Sequence, residues 1–427
     1  MEILWLSRDT NNHVYISNDF ADSSSIKEKM ELQFGGLIQK VTVEIDDELP
    51  INTIAISERI LKPFNIPANL PYEVIIEKDK IKVGPVIGIM VSITRFFNHL
   101  ESIGRTMDYE HIKGLLFIFG PKDVDLNERT ISGYYYNPSG KTRKTQWIEG
   151  TFPFPDVVYN RRKKLSKELY NHLTEYDIPF FNSHYLNKWQ QFEVFSQNPE
   201  LNSFLPETKK LSKPSIKEML AKYDEIYVKP TSKANGDGIR LIEKKENGYV
   251  LIENNSKTRF FNTINSLYKA IDRKNYIIQP SVAFKSENRN HDFRVILQKD
   301  GSKKWRFTGF KCRVSIENSI ITNFKNKDIV LPGVEALGSI YHLSPDQAKE
   351  KEKEMVQLCK SLAKSIEDKG VHLGDVAFDI IIDSNLKLWV LEIQIRYGVF
   401  DKKDVSPEFF RKFMVTPIYY AKALAGF

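Results

Sequence analysis

The chain has 427 residues, which at about 150 per domain suggests roughly three domains, and its 41% hydrophobic and 27% charged residues are ordinary for a soluble globular protein. Aromatics make up 12% and are spread throughout, which argues against long disordered tracts. The 62 basic and 55 acidic residues leave a net charge of +7, a mild excess that suits an anionic partner such as a nucleotide, an acidic peptide or a nucleic acid, or simply a solvated surface. Cys312 and Cys359 are the only cysteines; with no CxxC pair they exclude a disulfide framework and a Cys-rich zinc site and fit a reducing, cytoplasmic setting. The start MEILWLSRDTNN lacks the basic and apolar regions of a signal peptide. The longest near-apolar run, 83–94, is broken by Gly84, Pro85 and Gly88 and is too short to cross a bilayer, so no membrane partner is expected.

Residues 1–82 read as short strands with alternating apolar positions (KVTVEI, TIAIS, YEVIIE) between Asn, Asp and Pro, a small β-rich domain. From residue 83 the pattern changes. VGPVIGIMVS, GLLFIFG (114–120) and PDVVYNRR (155–162) are strand-like runs separated by helical stretches, and a helix carrying Leu165, Leu169, Leu173 and Tyr176 leads to IPFFNS. Strands alternating with helices predict an α/β layer over 83–182. Residues 183–427 mix helices with antiparallel hairpins: IYVKP, a glycine turn and GIRLIE; then YIIQP, DFRVILQ, KWRFTGFKCRV and SIITNF. Ser344-Pro345-Asp346-Gln347 is a helix start with a capping Ser and a Gln box partner, and that helix should run to about Asp368 and end at Gly370. AFDIII and LWVLEIQI form a further hairpin across DSNLK, and a terminal helix opens near Ser406-Pro407-Glu408. The fold class expected is mixed α/β (α+β).

The last hairpin places two acids together. A four-residue loop at 384–387 makes Asp379 oppose Glu392, and any even-length loop keeps both on one face, with Gln394 beside them. Facing carboxylates inside apolar strands repel unless a cation or proton lies between them, and Mg²⁺ takes such oxygen ligands; acids at an exposed sheet edge would simply be solvated. Lys229 ends an apolar strand before a turn holding Gly236 and Gly238, so an ammonium and backbone N–H groups could surround a phosphate. A solvated lysine beside an ordinary hairpin turn has the same sequence. Arg294 and Arg313 each lie within an apolar strand, where a guanidinium needs either a phosphate or a structural carboxylate partner.

A strand lysine, a glycine-containing loop, a strand ending in Gln, a D-x-R strand, a second strand arginine and paired hairpin acids, in that order, resemble the ATP-grasp superfamily. PDVVYNRR, FNSHYLNKWQQFEVF, FLPET, YVKP and DFRV are similar to the YheC/YheD-type endospore coat-associated ATP-grasp proteins. The resemblance implies a β-rich N-terminal domain (1–82), a pre-ATP-grasp domain (83–182) and an ATP-grasp domain (183–427). It implies that Lys188 and Lys229 hold the nucleotide phosphates, with the 231–238 turn and its Gly236 and Gly238 closing over them. Gln279 would accept from the adenine amino group through its carbonyl, Val282 would donate to the ring, and Asp292 would contact the ribose. Arg294 and Arg313 would meet the γ-phosphate and the acyl phosphate, Asn323 would line the acceptor side, and Asp379, Glu392 and Gln394 would hold Mg²⁺. The superfamily usually has Asn where this chain has Gln394, its phosphate loop often has more glycines, and no Gly-Gly follows Asn323.

The chemistry implied is an ATP-dependent carboxylate–amine ligase: a carboxylate attacks the γ-phosphate to give an acyl phosphate and ADP, and an amine then displaces phosphate. The acceptor expected is anionic, an acidic amino acid or peptide carboxylate, held near Arg294 and Arg313 or else near Arg161. Spore coat proteins are further candidate partners, with a spore-associated location. Two other readings stand beside this one: a scaffold that binds nucleotide without catalysis, and a phosphotransferase acting on a hydroxyl. Arg161-Arg162-Lys163-Lys164 opens a helix and reads as a solvated face, so nucleic acid is not the partner expected.

Overall fold

The computed structural model describes residues 2–6, 12–20, 26–61, 64, 66–98, 100–163, 165–233, 236–253, 257–271, 275–322, 327–398 and 405–427. It divides into two compact units, Met1–His184 with Lys299–Arg306 and Phe410–Phe427, and Tyr185–Gln298 with Phe307–Phe409. The mixed α/β class expected from the sequence holds in both. No helix among the described residues is long and apolar enough to cross a membrane.

In the first unit, strands with a period of two build a seven-stranded sheet. Lys29–Phe34 shows the cause: Met30, Leu32 and Phe34 point inward while Lys29, Glu31 and Gln33 alternate outward. The sheet runs in the order Glu2–Leu6, Thr53–Ser57, His13–Ser17, Leu37–Asp46, Lys29–Phe34, Lys80–Gly84, Glu73–Glu77. A second sheet follows, in which Leu115–Phe119, Val86–Met90, Val157–Asn160 and Phe180–Phe181 lie parallel in that order. The first three are fully buried, as uninterrupted apolar runs of a covered parallel sheet should be. One hydrophobic cluster, including Val14, Leu32, Phe34, Val86, Phe117 and Phe152, runs through both sheets.

The basic run at 161–164 differs from its sequence reading. Arg161 is buried and pairs with Glu101, which Arg105 also approaches at 3.5 Å, and the helix itself begins later, at Lys167, behind the capping Ser166. Burial alone would raise the Glu101 pKa, but the guanidinium groups of Arg161 and Arg105 outweigh it and hold the carboxyl at about 2. Arg161 is therefore a buried ion-pair member and not part of a solvated face; Lys164 lies outside the described residues.

The second unit has two sheets. The first is antiparallel, in the order Lys209–Lys210, Tyr276–Pro280, Glu225–Pro230, Arg240–Lys245, Gly248–Glu253, Thr258–Phe261. Its Ile226, Val228 and Ile278 pack against Ile216, Met219 and Leu220 of helix Lys213–Lys222 and Leu267 of helix Ile264–Ala270. The other has the order Lys327–Pro332, Trp305–Ser315, His291–Lys299, Asp375–Ile382, Leu388–Gln394. Helix Pro345–Glu367 buries Ala348, Met355, Leu358, Cys359, Leu362, Ala363 and Ile366, a stripe of helical period. Its start and end follow the sequence signals: Ser344 accepts from Gln347 N–H, Gln347 Oε1 accepts from Ser344 N–H, and Gly370 takes φ +81° just past the end. Ser344→Ala should cost about 1 kcal/mol, read as a lower urea midpoint by helical circular dichroism; an unmoved midpoint would show that the cap contributes nothing.

Candidate functional site

The hairpin Asp375–Ile382 and Leu388–Gln394 pairs Asp379 directly with Glu392, but by a different route from the four-residue loop of the sequence reading. Ile382 opposes Leu388, leaving residues 383–387 in the loop, an odd number that by itself would put the acids on opposite faces. Asp383 sets this loop: its Oδ1 accepts from the N–H groups of Asn385 and Lys387, and Leu386 takes φ +62°. A β-bulge then restores the register. Ile380 opposes Val390 and Asp379 opposes Glu392, so Leu391 is the extra residue. The bulge re-aims one acid, and it carries no signal in the apolar pattern.

Around Asp379 the side chains of four adjacent strands converge. Arg294, its partner on the neighbouring strand, donates Nε to Oδ1 and Nη2 to Oδ2, both at 2.9 Å. Arg313 Nη2 lies 3.2 Å from the same Oδ2, and Arg313 also makes a fork to Asp292, Nε to Oδ1 at 2.6 Å and Nη2 to Oδ2 at 2.5 Å. Thr322 Oγ1 donates to Asp292 Oδ2 at 2.7 Å. All four charged groups are buried. Burial pushes both carboxyls up; for Asp379 the guanidinium groups of Arg294 and Arg313 prevail and hold its pKa below the usual range. For Asp292 burial and the nearby Asp379 charge prevail over Arg313 and Thr322, and its pKa rises. Both arginines thus have the carboxylate partners that an apolar strand demands.

Glu392 joins this group to Lys188, and Lys229 lies near both. Gln394 Nε2 donates to Asp379 Oδ2 at 3.0 Å and to Glu392 Oε1 at 2.6 Å, while Lys188 Nζ lies 2.5 Å from Glu392 Oε2. Lys188 opens helix Lys188–Ser196, where Asn187 caps and Lys188 N–H donates to Thr231 O at 3.0 Å. Burial would lower the Lys188 pKa, but Glu392 prevails and raises it. Lys229, at the end of Glu225–Pro230, donates to Gln279 Oε1 at 2.8 Å, and Gln279 Nε2 donates to Thr208 Oγ1 at 2.9 Å. With no carboxylate in contact, burial and the charge of Lys188 lower the Lys229 pKa to about 8, against a smaller opposing effect of Glu392.

Gly236 and Gly238, at φ +72° and +77°, form the turn between the strands of Lys229 and Arg240, a backbone that only glycine adopts freely. Ser281 N–H donates to Glu225 O and Thr231 N–H to Asn275 O. By the alternation of an antiparallel ladder, Tyr227 and Gln279 are then a hydrogen-bonded pair, so the Gln279 carbonyl faces Tyr227 and that of Pro280 faces the other way. Val282 lies two residues beyond the end of that strand. Asn323 lies outside the described residues. Sequence reasoning missed Thr208, which fixes Gln279, and Thr322, which fixes Asp292 from the run SIITNF, read as a strand although its described residues 319–322 form none. His291, next to Asp292 in sequence, is buried against Phe284 and Tyr341, and its pKa falls to about 4, mainly through burial.

The residues present fit a magnesium ion. No group of three or more His, Cys, Asp or Glu side chains suited to a metal occurs among the described residues; the two cross-strand carboxylates would need phosphate oxygens and water to complete a coordination shell. That donor set is the one Mg²⁺ accepts.

Two outcomes test this geometry. Deleting Leu391 removes the bulge and should leave Glu392 opposite Asp379 in a regular ladder, so metal-dependent nucleotide binding should be retained in a chain that still folds; loss of binding in the folded variant would contradict the bulge argument. A phosphate beside Lys229 favours its ammonium, so nucleotide binding should take up a proton near pH 8, and affinity should fall as pH rises through that value. The folded pKa lies below the ordinary 10.5, so the folded chain binds fewer protons between the two values, and the cost of burying this lysine is relieved as pH rises across that window. Calorimetry in buffers of different ionisation heat measures the uptake; none at pH 8 would contradict the assignment.

Comparison with known proteins places the chain in a family. Residues 177–424 match the family described as YheC/D like ATP-grasp. The endospore coat-associated protein YheD of Bacillus subtilis (strain 168) is 27% identical over 379 residues, covering 81% of this chain and 80% of its own. The endospore coat-associated protein YheC of the same organism is 22% identical over 316 residues, covering 69% of this chain and 84% of its own. Among solved structures, the VanG D-Ala:D-Ser ligase of Enterococcus faecalis is similar with a TM-score of 0.49 at 12% identity, over 80% of this chain and 98% of that one. The family match spans more than half of the sequence, and the chain belongs to the YheC/D-like ATP-grasp family.

Proposed function

We propose that this protein is an ATP-dependent carboxylate–amine ligase that binds ATP and Mg²⁺ on its second unit and forms an amide-type bond through an acyl phosphate. The observation that carries the reading is the continuous set Lys188, Glu392, Gln394, Asp379, Arg294, Arg313 and Asp292, joined by the contacts above, with the buried Lys229 ammonium near enough to feel the charges of Lys188 and Glu392. Four cationic side chains beside two hairpin carboxylates match the needs of phosphoryl transfer, in which positioning and charge neutralisation do most of the catalysis.

In this reading Lys188 and Lys229 bind the phosphates, and the turn with Gly236 and Gly238 lies over them. The adenine amino group meets the Pro280 carbonyl, one residue beyond Gln279, because the Gln279 carbonyl faces Tyr227; Val282 N–H serves the ring. The Gln279 side chain instead orients Lys229. Asp292, with its oxygens on Arg313 and Thr322, positions that arginine and does not serve the ribose. Glu392 would hold Mg²⁺ through the oxygen that Lys188 releases, with Asp379 facing it across the hairpin, and the ion would supply charge neutralisation on the phosphates. Arg294 and Arg313 orient an acceptor carboxylate, whose oxygen attacks the γ-phosphorus and expels ADP. The amine then attacks the acyl carbon, phosphate leaves with the C–O bond electrons, and the amine loses a proton. Asn323 would line the acceptor side. The acceptor is an acidic amino acid or a peptide carboxylate, and the likeness to YheD and YheC supports a role in the endospore coat.

ADP release screened against acidic amino acids and peptides tests the reading. It should rise with acidic carboxylates and an amine and be accompanied by amide formation. Stimulation by hydroxyl compounds alone would indicate a phosphotransferase, and nucleotide binding without turnover a scaffold. Glu392→Gln should abolish metal-dependent turnover with the fold intact, and Lys229→Ala should weaken nucleotide binding by roughly 1.5–3 kcal/mol, the range for a charged hydrogen bond.

A further inference from the structure

The Gln394 amide lies between the two carboxylates of the hairpin. Its Nε2 is 3.0 Å from Asp379 Oδ2 and 2.6 Å from Glu392 Oε1. An amide NH₂ has two protons and two anionic acceptors take them; turning the amide oxygen there would set it against both carboxylates. We infer that Gln394 is a specificity-determining residue that limits the site to one divalent cation per bound nucleotide. This rests on the nucleotide and metal reading above.

A cation bridging Asp379 and Glu392 would need the position that the Gln394 N–H groups fill, and Gln394 could become its ligand only by rotating its amide and losing both hydrogen bonds. The remaining oxygens are not equivalent. Asp379 Oδ1 accepts from Arg294 Nε at 2.9 Å, and Arg294 Nη2 and Arg313 Nη2 also reach Oδ2, all within a buried sheet face. Glu392 Oε2 is engaged by Lys188, a single ammonium on a flexible stem that nucleotide phosphate can draw away. Release of Lys188 opens one oxygen for a cation that already carries phosphate ligands; the bridging position stays with Gln394. An amide arm one methylene shorter, as in Gln394→Asn, cannot span both carboxylates and leaves that position open to a second cation.

Electron paramagnetic resonance of Mn²⁺ added to the full chain with a non-hydrolysable ATP analogue counts the bound cations. One Mn²⁺ per chain is expected for the unaltered protein and two for Gln394→Asn, with thermal melts confirming that the variant is folded. Two Mn²⁺ on the unaltered chain, or one on the folded variant, would overturn the inference. The count on the unaltered chain needs no variant; if Gln394→Asn does not fold, Gln394→Glu, which adds a third carboxylate, takes its place with the same expected count of two. Analogue bound with no Mn²⁺ at all is a separate failure, because it removes the metal reading itself.

Discussion

The Asp379 carboxylate accepts hydrogen bonds from Arg294 and Gln394 and pairs with Arg313, and nearly all of this lies out of water. Such an arrangement is unforgiving. Two buried charges replaced together by apolar groups can be tolerated, whereas removal of one partner leaves a charge uncompensated at a cost of about 3–5 kcal/mol. The strands bearing Arg313, Arg294, Asp379 and Glu392 are consecutive neighbours in one sheet, so their register must hold for the charges to meet. The Leu391 bulge, the Asp383 loop and the Asp292–Arg313 fork all serve that register or that charge balance.

In the ligase reading, the same network explains how a site for a polyanion can exist without one. Two guanidinium groups and the Lys188 ammonium rest on carboxylates of the chain itself. Lys229 has an amide oxygen as its contact and a lowered pKa, which makes it the cation least satisfied before nucleotide binds. Phosphates and a divalent cation arriving together would exchange partners: the cation goes to the carboxylates and the phosphates to the lysines. A buried ion pair is weak evidence for stability, but in the ligase reading it would keep these groups aligned and charge-balanced while no nucleotide is bound.

Much of this was legible in the sequence, and what failed was the part set by local backbone. The strand positions of Lys229, Arg294 and Arg313 followed from apolar periodicity, and the capped helix Pro345–Glu367 followed from Ser344 and Gln347. The cross-strand meeting of Asp379 and Glu392 came out as expected although the loop was misjudged by one residue, because the loop and the bulge contribute shifts that cancel. Nothing in LWVLEIQ marks Leu391 as unpaired, since bulges depend on the partner strand as well. Arg161 was taken for a solvated residue because its burial depends on Glu101, sixty positions away and invisible to a local reading. The direction of the Gln279 carbonyl likewise depends on which ladder pair it occupies, which only the register reveals.

The most direct test of the account is a crystal structure of the full chain with Mg²⁺ and a non-hydrolysable ATP analogue. The account predicts phosphates against Lys188 and Lys229, the base beside Pro280 and Val282, the metal on Glu392 facing Asp379, and the Lys188–Glu392 contact broken. Analogue bound away from these side chains, or bound there with Lys188 still on Glu392 and no metal on either carboxylate, would contradict it.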